Sequence, residues 1–306
     1  MDGGTDRIDT ARVIEPLASP RAPRPRLVNL GCGPVAHPDW INVDIAPRDP
    51  CVLEADFHHS LPFPDGSIDA VYHSHVLEHL DRDSAAQFLA DNVRVLMPGG
   101  ILRIAVPDLE ALCRHYLDAL EAAQRGGSGA AELYEWSRLD LMDQMVRRQN
   151  CGKLLEFLSG IDLAAHPAIA ARLTLDLQRY LGLRRDGAAG APANGALKSW
   201  HEVRRRARHV ARRLRERIAA ALVRCVAGRR AADAFVEGLF RTSGEVHQWM
   251  YDAYSLRSIM RDAGLVDVAL KQADESAIPG FAEYQLDAVG ARIRRPGSLF
   301  AEGRKP

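Results

Sequence analysis

At 306 residues, 47% of them hydrophobic, the chain has enough material for one α/β domain with its own core plus a sizeable insertion. The formal net charge is zero, so composition alone names neither a nucleic-acid nor a membrane partner. No apolar run approaches the roughly 18 residues of a spanning helix, the N-terminus lacks a signal-peptide core, and the five cysteines include no C-x-x-C pair, which argues against a zinc site or disulfide framework and for a reducing cytosol.

Residues 1–26 are polar and rich in Pro, Arg and Asp, the composition of a disordered tail. The organising stretch follows. Leu27-Val28-Asn29-Leu30 is a short apolar run broken by Gly31-Cys32-Gly33-Pro34, and Trp40-Ile41-Asn42-Val43 is a second run ending on Asp44. This reads as strand, glycine turn, strand, with a carboxylate at the second strand's tip. Such a turn lets a ligand approach the backbone, and the carboxylate can accept two hydrogen bonds from a ribose diol, so the stretch describes a nucleoside pocket at the carboxyl edge of a parallel sheet. Gly31, Gly33 and Ala36 also fit the dinucleotide fingerprint. That fingerprint needs a crossover helix and an acid about 20 residues on, whereas Asp44 follows Gly31 by 13 positions and Pro34 and Pro38 interrupt the connection. At most one helical turn fits, which disfavours an NAD-linked oxidoreductase and favours a nucleoside without a pyrophosphate. Cys32 reads as a small apolar residue in a tight turn, with a reactive thiol as the alternative.

Next, 51–55 reads as a third strand ending at Asp56, 61–67 as a proline-rich turn, and 68–73 as a fourth strand leading into His75-Val76-Leu77-Glu78-His79. Histidines 73, 75 and 79 with Glu78 invite a metal reading. Alternation points His73 and His75 the same way, but Glu78 and His79 fall on another element and no second ligand cluster completes a site; the reading is of no metal. A helical face at 84–96 ends at Pro98-Gly99-Gly100, Ile101–Val106 is a buried fifth strand, and 109–123 is a further helix.

Gly126-Gly127-Ser128-Gly129 opens an insertion, 126–240, between two parts of the core at 27–125 and 241–306. Residues 131–148 and 167–181 read as helices, 187–195 as a flexible linker, and 199–226 as a helix with apolar residues at helical spacing. Twelve Lys/Arg stand against Glu202 and Glu216 between Lys198 and Arg230, a local excess hidden by the neutral total. Its partner would be an anionic membrane surface, a phosphorylated glycan or lipid carrier, or RNA; few aromatics interleave it, which disfavours base stacking. A solvated helix face is the plain alternative. After the insertion, Ser255 caps a helix to Ala263, Val266–Leu270 is a sixth strand, and Ser298–Ala301 the last.

In order, LVNLGCG, INVD, EADFHHSLPFPDGSIDAVYHSHVLEHL and VLMPGGILRIAVPD resemble a class I S-adenosylmethionine-dependent methyltransferase, in a subgroup associated with bacterial cell-surface polysaccharide pathways. HQWMYDAYSLRSIMRDAGL and SLFAEGRK look like the close of the same domain. The resemblance implies a Rossmann-like, seven-stranded, doubly wound α/β sheet with its last strand antiparallel, and S-adenosylmethionine as cofactor. It implies ribose on Asp44, adenine near Asp56 and Phe57, and the methionyl end over Gly31, Cys32 and Gly33. It counts Asn29 and Ser74 among the cofactor's contacts and places the block from His75 on the floor between cofactor and acceptor. At Asn29 the family often carries an acid. The implied activity is methylation, with oxygen as the expected atom, of a small molecule, glycan or lipid-linked acceptor in the cytoplasm or at the inner face of the membrane. A nucleic-acid-binding methyltransferase or module is the alternative. For a general base, His247, just before Trp249, Tyr251 and Tyr254 where the chain returns from the insertion, is the first candidate, and His75 the second.

Overall fold

Four consecutive buried residues make β1 (Leu27–Leu30) the central strand. An apolar stretch without alternation is what a strand covered on both faces requires. The structure, a computed structural model, describes residues 25–47, 49–57, 59–149, 152–182 and 200–306, without the side chains of 200–210, 212 and 213. The expected tail up to residue 24 and the linker at 187–195 lie outside the described residues.

Around β1 stand β2 (Ile41–Asp44), β3 (Leu53–Glu54), β4 (Ile68–Ser74) and β5 (Leu96–Pro107), all parallel. Beyond β5 the sheet is antiparallel: β9 (Ser298–Arg304) lies between β5 and β6 (Val266–Lys271), giving the order β3-β2-β1-β4-β5-β9-β6. A two-residue hairpin, β7 (Ala288–Val289) with β8 (Arg292–Ile293), stands apart. This is the α/β sheet the sequence implied, with the last strand inserted antiparallel.

Alternate residues divide the core. Val28, Leu30, Val43, Val71, Leu102 and Ile104 pack with Phe88 and Leu89 of α1 (Arg82–Val95) and with Leu256 and Met260 of α8 (Ala253–Asp262). Leu27, Ala70, Tyr72 and Ile101 pack with Trp40, Ile278, Phe281 and Leu286, so an irregular segment between β6 and β7 covers part of the second face. Arg103 of β5 pins that segment. Fully buried, it bonds Asp287 (2.8 Å) and Glu302 (2.8 Å), the latter its register partner on β9. It also donates to the carbonyls of Gln272, Ala273 and Glu275.

Several boundaries differ from the sequence reading. Pro98-Gly99-Gly100 does not end a helix but lies inside β5, with Gly99 at φ +80° and Lys305 exchanging backbone bonds with Gly99 and Gly100. Pairing with the chain's end overrides a turn signal here. Residues 167–181 form two short helices, α5 (Pro167–Ala170) and α6 (Leu175–Tyr180), the second capped by Thr174. The cap of α8 is Asp252, with Ser255 bonding back to it as a capping box. α2 (Leu109–Arg125), α3 (Ala130–Val146) and α4 (Gly152–Gly160) lead into the insertion. The basic helix, α7, runs Trp200–Arg241, longer than its apolar spacing suggested, and is kinked at Gly228.

Candidate active site

The turn after β1 is built from backbone that needs glycine. Gly31 has φ +64°, and a Cβ there would lie 2.3 Å from Cγ2 of Val76. Gly33 has φ +51°, and a Cβ there would meet nothing within 4 Å. Gly31 is thus fixed by packing, whereas Gly33 leaves open space over the turn. Asp44 at the tip of β2 accepts from Gly33 N (2.8 Å) on one oxygen and from Ala46 N (2.9 Å) on the other. A carboxylate offers about four acceptor positions, so each oxygen keeps one for a ligand.

Asn29 explains its own departure from the family's acid. Its Nδ2 donates to the Val35 carbonyl (3.0 Å) and to Oδ1 of Asn42 (3.1 Å). Asn42 in turn accepts from His37 N and donates to the carbonyls of His37 and Trp40. This amide pair holds the proline-bearing loop, and an aspartate could not donate to either acceptor.

A narrow cleft, with about 20 Å³ of room, opens at the carboxyl ends of β1 and β4. Asn29, Gly31, Cys32 and Ser74 line it, as do Tyr72, Asp176 of the insertion, Asp287, Arg294, Arg295 and Ser298. Gly33 and Asp44 are joined beside it. Asp56 and Phe57 are not among its lining: Asp56 is exposed, 3.4 Å from His59, while Phe57 packs on Phe88 and borders Gly31. Burial, with Asp44 nearby, pushes the Cys32 thiol up to about 11, which suits a small buried residue in a tight turn. Nothing in the sequence reading marked Tyr72, Asp287, Arg295 or Ser298; the doubled arginine before the last strand was the available signal.

The histidines separate. His73 points into the core against Phe88, and full burial lowers it to about 4. His75 does not follow the strand's alternation: it leaves β4 with φ +57°, placing Nδ1 3.0 Å from Oε1 of Glu78 and Nε2 2.8 Å from Oγ of Ser298. Glu78 is fully buried in a single 3₁₀ turn. Burial raises its carboxyl, while the imidazoles of His75, His79 and His247 lower it. His247, the first candidate base from sequence, is 7% exposed and does not line the cleft. It sits against His79, with Nε2 3.9 Å from Glu78 Oε1 and its backbone N–H on the carbonyl of Gln144 of α3, and burial lowers it to about 3. Of the aromatic block beside it, Tyr251 is buried and Tyr254 largely exposed, while Trp249 stacks under Arg82.

A glycine turn after the first strand, an acid at the tip of the second and a cleft at the carboxyl edge define a class I, Rossmann-like nucleoside site. Comparison with known proteins specifies the nucleoside. Residues 29–104 match the methyltransferase domain family model, Methyltransf_11. Over 60 residues the chain is 45% identical to an uncharacterized 37.1 kDa protein in transposon TN4556 of Streptomyces fradiae; the match covers 20% of this chain and 17% of that protein's length. Among solved structures it is similar to S-adenosylmethionine-dependent methyltransferases from Archaeoglobus fulgidus (12% identity, TM-score 0.36, 92% of this chain and 86% of the other) and Mesorhizobium loti (14%, 0.33, 92% and 90%). The domain match carries the assignment, since these TM-scores are low. Residues 29–104 are those of a methyltransferase domain, and S-adenosylmethionine is its cofactor. The residues fit it: the open space over Gly33 would take the methionyl end, and the two vacant acceptor positions of Asp44 suit a ribose diol.

Proposed function

We propose that this chain methylates a hydroxyl oxygen of a polar, polyhydroxylated acceptor, a glycan or a sugar-like small molecule, of the kind handled in cell-surface polysaccharide assembly. The observation that supports this most is the lining of the cleft. Beyond the glycine turn it is made by Tyr72, Ser74, Asp176, Arg294, Arg295 and Ser298, groups that exchange hydrogen bonds with hydroxyls; Arg294 and Arg295 also suit a phosphate on the acceptor.

The cofactor, when bound, supplies an electrophilic methyl group on a sulfonium. The chain's part is alignment, worth up to about 7–11 kcal/mol, and removal of the acceptor's proton, worth about 10²–10⁴-fold. Asp44 fixes the ribose and Asn29 the loop above it. His75 is the better-placed base. With Nδ1 3.0 Å from the Glu78 carboxylate, the ring keeps its proton on that side, and Nε2 carries the lone pair and faces Ser298, which lines the cleft. An acceptor hydroxyl in the place of the Ser298 contact would give its proton to Nε2, while Glu78 holds the ring's tautomer. Burial lowers His75, so the ring is neutral and ready to accept at neutral pH. His75→Gln is expected to lower turnover by about 10²-fold or more in a labelled-methyl assay on glycan and lipid-carrier fractions, with S-adenosylmethionine affinity unchanged. Full turnover in that variant would remove His75 from the chemistry.

The insertion supports delivery from an anionic surface. Along α7, Leu214, Ile218, Leu222 and Val226 are 52–88% exposed, and Arg215, Arg217, Arg224, Arg229 and Arg230 are exposed around them. An apolar stripe flanked by arginine suits a helix lying in a headgroup layer better than a nucleic acid, which would call for aromatics. Among the described residues no helix is long and apolar enough to cross a membrane.

A further inference from the structure

Glu78 poses an unsolved problem in hydrogen bonding. Its side chain is fully buried, yet neither carboxylate oxygen accepts a well-aligned hydrogen bond; the His75 contact is close but off-line. A buried carboxylate left so is costly. Two further imidazoles stand beside it. His247 arrives from the far side of the insertion with Nε2 3.9 Å from Oε1, too long for a hydrogen bond. His79 points Nδ1 at the carbonyl of Val246 (3.3 Å), and a hydrogen on that nitrogen leaves Nε2 bare. A backbone carbonyl holding the second ring nitrogen is the usual outer partner of a metal-ligating histidine.

The atoms these three residues offer all lie within 4.8 Å of one another. An ion bonded tetrahedrally at about 2.0–2.2 Å holds its ligand atoms roughly 3.3–3.6 Å apart, so side-chain shifts of about 1–1.5 Å close the set. From sequence, Glu78 and His79 lacked a partner cluster; the return of the chain at His247 supplies it. We infer that Glu78, His79 and His247 form a binding site for one divalent transition-metal ion. Two imidazoles and one carboxylate suit Zn²⁺, Mn²⁺, Fe²⁺ or Co²⁺. Three protein ligands leave coordination positions open, and His75, sharing Glu78, ties the site to the cleft through Ser298. Resting on the proposed oxygen methylation, the ion's role is to fix Glu78 and, through it, the orientation of His75, whose Nε2 takes the acceptor proton.

The test uses full-length, tag-free protein stripped with chelator and titrated with Co²⁺ alone, followed by visible absorption and by elemental analysis after dialysis. One ion per chain is expected, with a spectrum of a nitrogen- and oxygen-ligated site. Glu78→Gln and His79→Gln should each weaken binding by at least about 100-fold, the upper end of what an outer partner contributes. His166→Gln, on the insertion, should bind as the parent does. His79 is only half-buried, so its variant keeps the test open if Glu78→Gln fails to fold. Calorimetry with S-adenosylmethionine on the same samples separates two failures. Intact cofactor binding with no stoichiometric Co²⁺, or Co²⁺ held equally by the two ligand variants, overturns the metal site alone. Absent cofactor binding in the parent would overturn the methyltransferase reading instead.

Discussion

Two glycines in one turn have opposite roles. Gly31 sits against Val76 with no room for a methyl group, while Gly33 faces open space at a similar positive φ. Each pays about 1–2 kcal/mol for a left-handed side chain on substitution, but only Gly31→Ala must also displace Val76. Gly31→Ala is therefore expected to lower the melting temperature clearly more than Gly33→Ala. Gly33→Ala is expected to weaken S-adenosylmethionine binding by about 10-fold or more, since its methyl group fills the space left for the methionyl end. Equal cofactor affinity in Gly33→Ala and the parent, by calorimetry, would show that the ligand does not pass over Gly33. The turn was legible in sequence because its signal is local: two glycines after an apolar run. The role of Asn29 was not. An asparagine looks like a weakened acid until its two donors are seen on Val35 and Asn42.

At the scale of elements, the irregular segment over the second sheet face hangs on one buried cation. Arg103 joins β5 to Glu302 of β9 and to Asp287 beside β7, with Phe281 and Phe300 against its guanidinium. Asp287 is also bonded by Tyr72 and lines the cleft, so the same network shapes the site. Arg103→Met leaves two carboxylates buried without their partner and is expected to cost about 3–5 kcal/mol, whereas replacing all three charged residues by apolar ones of similar volume should cost much less. Chemical denaturation of both variants checks this; a triple variant as unstable as the single one would show that the network is not the anchor. The parallel half of the sheet was readable from apolar runs and turn residues. The parts that were not depend on distant chain: β5 runs through Pro98-Gly99-Gly100 because Lys305 pairs there, and His247 reaches Glu78 only because the return from the insertion packs Gln248 and Trp249 on the carbonyl of Glu78.

For the whole molecule, a neutral total conceals a basic, apolar-striped helix in the insertion, and Asp176 of the same insertion lines the cleft. On the proposed reading, α7 lies on an anionic surface while the cleft beside Asp176 takes the acceptor. Sedimentation with anionic vesicles at low salt, falling steeply as salt rises, is the expected behaviour. Equal sedimentation with neutral and anionic vesicles would leave α7 a solvated helix.

The cofactor assignment underlies every chemical statement above, and one calorimetric comparison tests it: S-adenosylmethionine and NAD titrated into the parent protein and into Asp44→Ala. The parent is expected to bind S-adenosylmethionine more tightly than NAD, because the loop between Gly33 and Trp40 offers no crossover helix for a pyrophosphate. Asp44→Ala is expected to lose about 1.5–3 kcal/mol of that affinity, the scale of charge-assisted hydrogen bonds. Tighter binding of NAD by the parent, or unchanged S-adenosylmethionine affinity in Asp44→Ala, would contradict it.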